Sequence, residues 1–221
     1  MAQWLNGFID FLASSVCHGL PERSLVFSCG TLPFCARCTG VYSGFFLTTL
    51  FFSSFGKSQI SFPTRSLTFL NLGFIVLMIL FGFHLVGDTS PPVRFVVGAL
   101  FGSALAVFIF PLITNWIGGL SLRRWDKRTI FRYLLFLFFL GGISFLAHFD
   151  LAVLFYLFLI GSVLGLILAY LFVNMAVLAW IFRVRGRSGM RPKVAIVFAA
   201  LIAFGGEIIL QRWWHIFWQS R

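Results

Sequence analysis

Residues 151–182 read LAVLFYLFLIGSVLGLILAYLFVNMAVLAWIF, a run without an Asp, Glu, Lys, Arg or His. About 20 apolar residues cross a bilayer as a helix, so this run spans with length to spare and must tilt, bend or protrude. The remainder of the chain has the same character. Of its 221 residues 60% are hydrophobic and 10% charged, with a mean hydropathy of +0.98. A soluble domain carries about half apolar and about a quarter charged residues. An ordinary soluble domain is therefore excluded, and the expected fold class is all-α, a polytopic transmembrane helical bundle.

Five further apolar runs are separated by positions where Arg, Lys, Asp, Pro and paired Gly collect: Cys35–Phe55, Leu67–Val86, Phe95–Leu120, Tyr133–Phe149 and Val194–Gln211. Six spans are expected, with a kink at Pro111, where the ring removes a backbone donor. Ahead of them, Trp4, Phe8, Phe11 and Leu12 recur at helical spacing around Asn6 and Asp10 over a stretch too short to span. That pattern predicts an interfacial amphipathic helix. The first basic residue is Arg23, so the N-terminus lacks the basic region of a signal peptide and is expected to be mature. One integral membrane domain over 1–221 is expected, with no linker or low-complexity tract.

A formal charge of +11 would suggest nucleic acid in a soluble chain, but its placement gives it another meaning. Arg123, Arg124, Lys127, Arg128 and Arg132 share one connection, and Arg183, Arg185, Arg187, Arg191 and Lys193 share another. The positive-inside rule puts both in the cytoplasm and the opposite loops outside. The implied partners are membrane lipids, with no nucleic acid, and the compartment is the cytoplasmic (inner) membrane. Gly40 with Gly44, Gly98 with Gly102, and Gly161 with Gly165 are small-xxx-small pairs that let helix backbones approach closely.

All four cysteines lie between positions 17 and 38, and residues 39–221 have none. Cys35 and Cys38 form a C-x-x-C pair at the start of the first span, where both sulfurs would share one face of the first helical turn. The positive end of the helix dipole, with Arg37 adding to the field, would lower a thiol pKa there. Such thiolates suit zinc or another transition metal, and Cys17, His18, Cys35 and Cys38 supply a Cys3His set. Sixteen residues separate His18 from Cys35, as between the ligand halves of small zinc sites. The same residues allow a membrane thiol-disulfide oxidoreductase, with Cys35 and Cys38 as one pair and Cys17 or Cys29 serving the second. They equally allow structural disulfides that pin the outer loop. A closed four-ligand shell would be structural, whereas three ligands leave a position for water or substrate.

The run from Cys17 to Gly40 resembles the signature of a family of uncharacterised bacterial and archaeal multi-pass membrane proteins, classed as a domain of unknown function. That signature is a Cys-His pair, a Pro-x-Arg-Ser element, and Pro-x-Cys-Ala-Arg-Cys-Thr-Gly opening a hydrophobic helix. Pro21, Arg23, Ser24, Pro33, Cys35, Ala36, Arg37, Cys38, Thr39 and Gly40 match in order. Asp88, Arg94, Gly98 and Gly102 resemble its later elements, giving a family-like core of about 17–120 with additional helices over 133–211. Cys29 matches no family cysteine, so the resemblance favours Cys17, Cys35 and Cys38. It implies a membrane class and a set of positions, not a reaction.

Other polar residues bear on the same outer side. Asp88 could act as ligand or general base, and Arg94 as an anion clamp for a substrate at the lipid interface. Equally, the two could simply pair across their loop. His84 lies one turn inside, while His148 and Asp150 occupy another outer turn. Glu207 is a carboxylate well inside a predicted span, a functional candidate by position. Its closeness to Gln211 and Arg212 instead predicts snorkelling to the interface. The Trp-rich tail from Arg212 to Trp218 reads as an interfacial anchor, and Asn174 as a hydrogen-bonding residue between helices. No zinc-protease helix motif, phosphate loop or nucleophile elbow is present, so common hydrolase and nucleotide-driven mechanisms have no support.

Overall fold

A computed structural model of the chain describes residues 2–17, 21–54, 59–82, 90–118, 122–123, 125–146, 149, 151–181 and 190–219. The helices follow the apolar runs: α1 (Ala2–Val16), α2 (Ala36–Ser53), α3 (Arg65–Gly82), α4 (Pro91–Gly118), α5 (Lys127–Leu146), α6 (Ala152–Ile181) and α7 (Met190–Gln219). Two small strand pairs join them. β1 (Ser24–Phe27) and β2 (Gly30–Cys35) form an antiparallel hairpin before α2, and β3 (Gln59–Ile60) pairs in parallel with β4 (Leu122–Arg123).

Six helices after α1 match the six expected runs, but three are long and apolar enough to cross a membrane among the described residues: Pro91–Thr114, Ala152–Leu178 and Ala195–Trp213. Arg65–Phe81 is a shorter apolar stretch. The other helices are diluted by polar side chains, some of which bond to the backbone of their own helix. In α2, Thr48 donates to the Gly44 carbonyl at 2.7 Å and Thr49 to the Phe45 carbonyl at 2.8 Å. In α5, Lys127, Arg128 and Arg132 occupy the opening turns. Helix α4 runs unbroken through Pro111.

All three glycine pairs lie at close helix crossings. A Cβ at Gly40 would run into the Phe95 carbonyl, one at Gly44 into the Ala99 carbonyl, and ones at Gly98 and Gly102 into the Arg37 and Val41 carbonyls. The contacts advance together along both chains, so α2 and α4 are parallel, each lending the other a glycine groove. Helix α6 joins them in the same direction: Gly165 faces the Tyr42 carbonyl, and Phe172 stacks edge-on against Phe45. Helix α7 runs antiparallel to α6, since Tyr170 meets Gln211 and Asn174 meets Glu207.

The bundle therefore has two chemically different ends. At one, the starts of α2, α4 and α6 meet the hairpin, with Leu25, Phe27, Leu32, Phe95, Leu154 and Phe158 forming a buried cluster. At the other, the connections after α2 and α4 come together as the β3–β4 pair, and the Trp125 indole donates to the Ser61 carbonyl at 2.7 Å. These are the loops that alternation along the sequence assigns to one side.

Candidate metal centre

The hairpin explains how cysteines eighteen residues apart meet. Leu25 and Phe27 on one strand and Leu32 and Phe34 on the other are buried, while Val26 is 69% exposed, a period-two pattern that lays one face on the bundle. The turn is made by Ser28 and Cys29 and closed by Gly30 at φ +144°, a conformation that L side chains rarely adopt. The register then pairs Ser24 with Cys35, bringing β2 back to the start of the chain's polar segment. Cys17 is carried in from the other side, its backbone N–H donating to the Ala13 carbonyl at 2.8 Å as a continuation of α1.

Cys35 is the N-cap of α2, with extended φ −61° and ψ 153°. Cys38 is then the third helical residue, and side chains at those two positions face each other across the opening turn. The ligand atoms of Cys17, Cys35 and Cys38 all lie within 4.8 Å of one another. The Cys35 backbone N–H donates to the Cys17 sulfur at 3.3 Å. Thr39 locks the turn by donating to the Phe34 and Cys35 carbonyls at 3.3 and 3.2 Å. Cys17 is buried and the other two are partly so, set among Leu12, Ala13, Phe34, Leu166 and Ile208 with Tyr42 and Tyr170 alongside.

Zinc–sulfur bonds of about 2.3 Å place sulfurs of a tetrahedral site about 3.8 Å apart, so the trio needs only a small contraction to hold such an ion. Among the described residues no disulfide joins the cysteines. The cluster could thus bind a metal, and its soft, uniform donor set suits zinc or a related transition ion.

Several expectations are corrected. The Cys35 thiol, in β2 ahead of the helix, has its pKa raised rather than lowered, by hydrogen bonding with Cys17 first and then by burial, with Cys38 opposing. Arg37 does not turn its charge on the thiols alone: its guanidinium donates to the Phe81 carbonyl at 3.2 Å, in the last turn of α3. Cys29 sits exposed at the hairpin turn, apart from the trio. Arg94 is buried in the first turn of α4 at the same end of the bundle, and Arg23 is exposed beside the hairpin. His18, Asp88, His84, His148 and Asp150 lie outside the described residues.

Glu207 does not snorkel away. It turns toward α6 and accepts from the Asn174 amide at 3.2 Å, and one turn further Gln211 donates to the Tyr170 hydroxyl at 3.3 Å. Arg212, expected in a lipid anchor, instead reaches α1: its guanidinium donates to the Ser14 hydroxyl and lies 5.2 Å over the Phe11 ring. The apolar pattern of α1 includes the docking residues Phe11 and Leu12 but does not reveal α7 as their partner.

Residues 17–108 match the model of a family described as "Predicted membrane protein (DUF2085)". Over that segment the chain is similar to the family. No curated protein and no solved structure matches the chain. The DUF2085 segment opens at Cys17 and ends inside α4, so it contains the whole thiol trio and both glycine pairs of the α2–α4 crossing.

Proposed function

We propose that this membrane protein holds one transition-metal ion, zinc-like in its preferences, on Cys17, Cys35 and Cys38 at the extracytoplasmic face. The carrying observation is the convergence within 4.8 Å of three sulfurs, two from the C-x-x-C turn that opens α2 and one from the end of α1. Three thiolates that close repel one another strongly unless a cation sits among them, so the arrangement is suited to an ion. His18, adjacent to Cys17, is the natural fourth ligand. The basic connection that carries Arg123 supports the assignment of sides, because the thiols sit at the other end of the bundle. In this reading Arg94 and Asp88 serve a substrate from the lipid interface, as anion-binding group and as base or further ligand. When bound, the ion would polarise an oxygen or simply lock the hairpin to α1.

Metal analysis of the purified chain provides the test. One equivalent of zinc is expected in the wild type and none in Cys38→Ser. A protein without metal whose Cys35 and Cys38 form a reducible disulfide would sink this reading and favour thiol-disulfide exchange. Labelling with a membrane-impermeant thiol reagent from each side of the membrane checks the orientation through exposed Cys29, and cytoplasmic labelling would overturn the outer placement.

A further inference from the structure

The third sulfur of the trio depends on a helix that touches little else. Helix α1 is held by α7 and β2, while its first half points away: Trp4 is 87% and Phe8 52% exposed. Its second half docks through Leu12 and Ala13, buried against Ile208 of α7. One turn beyond Ile208, Arg212 grips α1 at two points, by a hydrogen bond to Ser14 and by the cation–π contact over Phe11. Phe11 and Ser14 are three residues apart and so neighbours on the helix surface, and Cys17 follows three residues beyond Ser14, its N–H still bonded to the Ala13 carbonyl. The guanidinium also lies in the last turn of α1, where the helix dipole favours a cation.

We propose that Arg212 is a positioning residue for the thiol site: by latching α1 to α7 it seats the Cys17 sulfur beside Cys35 and Cys38. The site is then complete only when α1 is docked, and the C-terminal helix, outside the DUF2085 segment, governs a centre that lies within it. The Arg212 fork supplies both contacts at once, a directed hydrogen bond and a flat cation on a ring, which a Lys reproduces only in part. The effect on affinity rests on the metal reading above, but the seating of Cys17 does not.

The test uses the full-length protein in detergent or nanodiscs and compares wild type, Arg212→Gln and Arg212→Lys. In metal-free protein, the rate of Cys17 modification by a maleimide, resolved residue by residue by mass spectrometry, is expected to rise severalfold in Arg212→Gln and less in Arg212→Lys. Cys29, remote from the latch, should react at the same rate in all three. Zinc affinity, titrated against a competing chelator, should fall about 10- to 100-fold in Arg212→Gln, as for loss of other outer-shell supports, with partial recovery in Arg212→Lys. Unchanged Cys17 labelling in Arg212→Gln overturns the latch whatever the metal does. Faster Cys17 labelling in a chain whose wild type binds no zinc upholds the latch and sinks the metal reading instead.

Discussion

Two polar interiors sit at opposite ends of this bundle, and they are built on different principles. Near the end of α2, the Tyr133 hydroxyl donates to Asn71 Oδ1 at 2.8 Å, the Asn71 amide donates to the Leu67 carbonyl at 2.8 Å, and the Ser103 hydroxyl closes the group at 3.3 Å. All three residues are fully buried, and aromatic rings of Phe51, Phe52, Trp125 and Phe136 surround Tyr133. Donors there meet acceptors, so the network is complete as it stands and ties α3, α4 and α5 together. At the start of α2 the trio offers three groups of one kind, each a weak donor and a good soft ligand. Thiols hydrogen-bond one another only weakly, so such a set is held less firmly by its own contacts than the Tyr133 group is. The contrast separates a polar core that stabilises a fold from one that is suited to receive something.

The largest effect is expected where both interiors depend on the same support. Helix α2 carries Cys38 at one end and Phe52 at the other, and its register against α4 is set by the glycine contacts between them. In Gly102→Val the new side chain would collide with the Val41 backbone, which cannot rotate away as a side chain can. A loss of about 3 kcal/mol or more is expected, seen as aggregation or loss of the monodisperse peak in detergent, with both interiors damaged together. A well-folded Gly102→Val protein would show that the two helices are not held by this crossing. Next in size is the Cys38→Ser variant, in which metal content should vanish while the Tyr133 end is untouched. Tryptophan fluorescence from Trp125 would report any spread of the disturbance.

Much of this was legible in the sequence, and the exceptions have physical causes. Apolar runs of span length fix helices almost regardless of context, because a backbone in lipid must satisfy its own hydrogen bonds. The three glycine pairs were readable for the same reason, as gaps at which backbones meet. The DUF2085 signature marked out Cys17, Cys35 and Cys38, which the structure brings together. The hairpin over 24–35 has only a weak signal in the sequence: Leu25, Phe27, Leu32 and Phe34 alternate around Ser28, Cys29 and Gly30. That alternation is short, one strand of four residues and one of six, and the second runs into the cysteine motif. The roles of Arg37 and Arg212 could not be read, since each reaches a partner distant in sequence, Phe81 and Ser14. The direction of the Cys35 shift followed the same course. A helix dipole is a local property visible in sequence, whereas the neighbouring thiol and the burial that outweigh it are tertiary.

A smaller effect sharpens the comparison from the structural end. Tyr133→Phe removes the donor to Asn71 and leaves its carbonyl oxygen buried without that partner. A destabilisation of about 1–2 kcal/mol is expected, read as a lower midpoint in thermal or detergent denaturation. Metal content should match the wild type. Loss of metal in Tyr133→Phe would mean that the two ends are coupled through α2 and are not separate designs.

The smallest effect concerns a polar pair that belongs to neither interior. Glu207 is half-buried on α7 and engages one partner, the Asn174 amide, as acceptor. A Gln at this position keeps an oxygen to accept that bond while discarding the ionisable group. If Glu207 serves only to join α6 and α7, Glu207→Gln should change stability by no more than about 0.5 kcal/mol, and Glu207→Ala by about 1 kcal/mol. The comparison of the two substitutions is the informative quantity, because packing and hydrogen bonding are shared between the wild type and Gln but not with Ala. Thermal midpoints in one detergent measure it directly. A Gln variant as damaged as the Ala variant would show that the charge itself matters at this depth, and would move Glu207 from the scaffold to the functional residues.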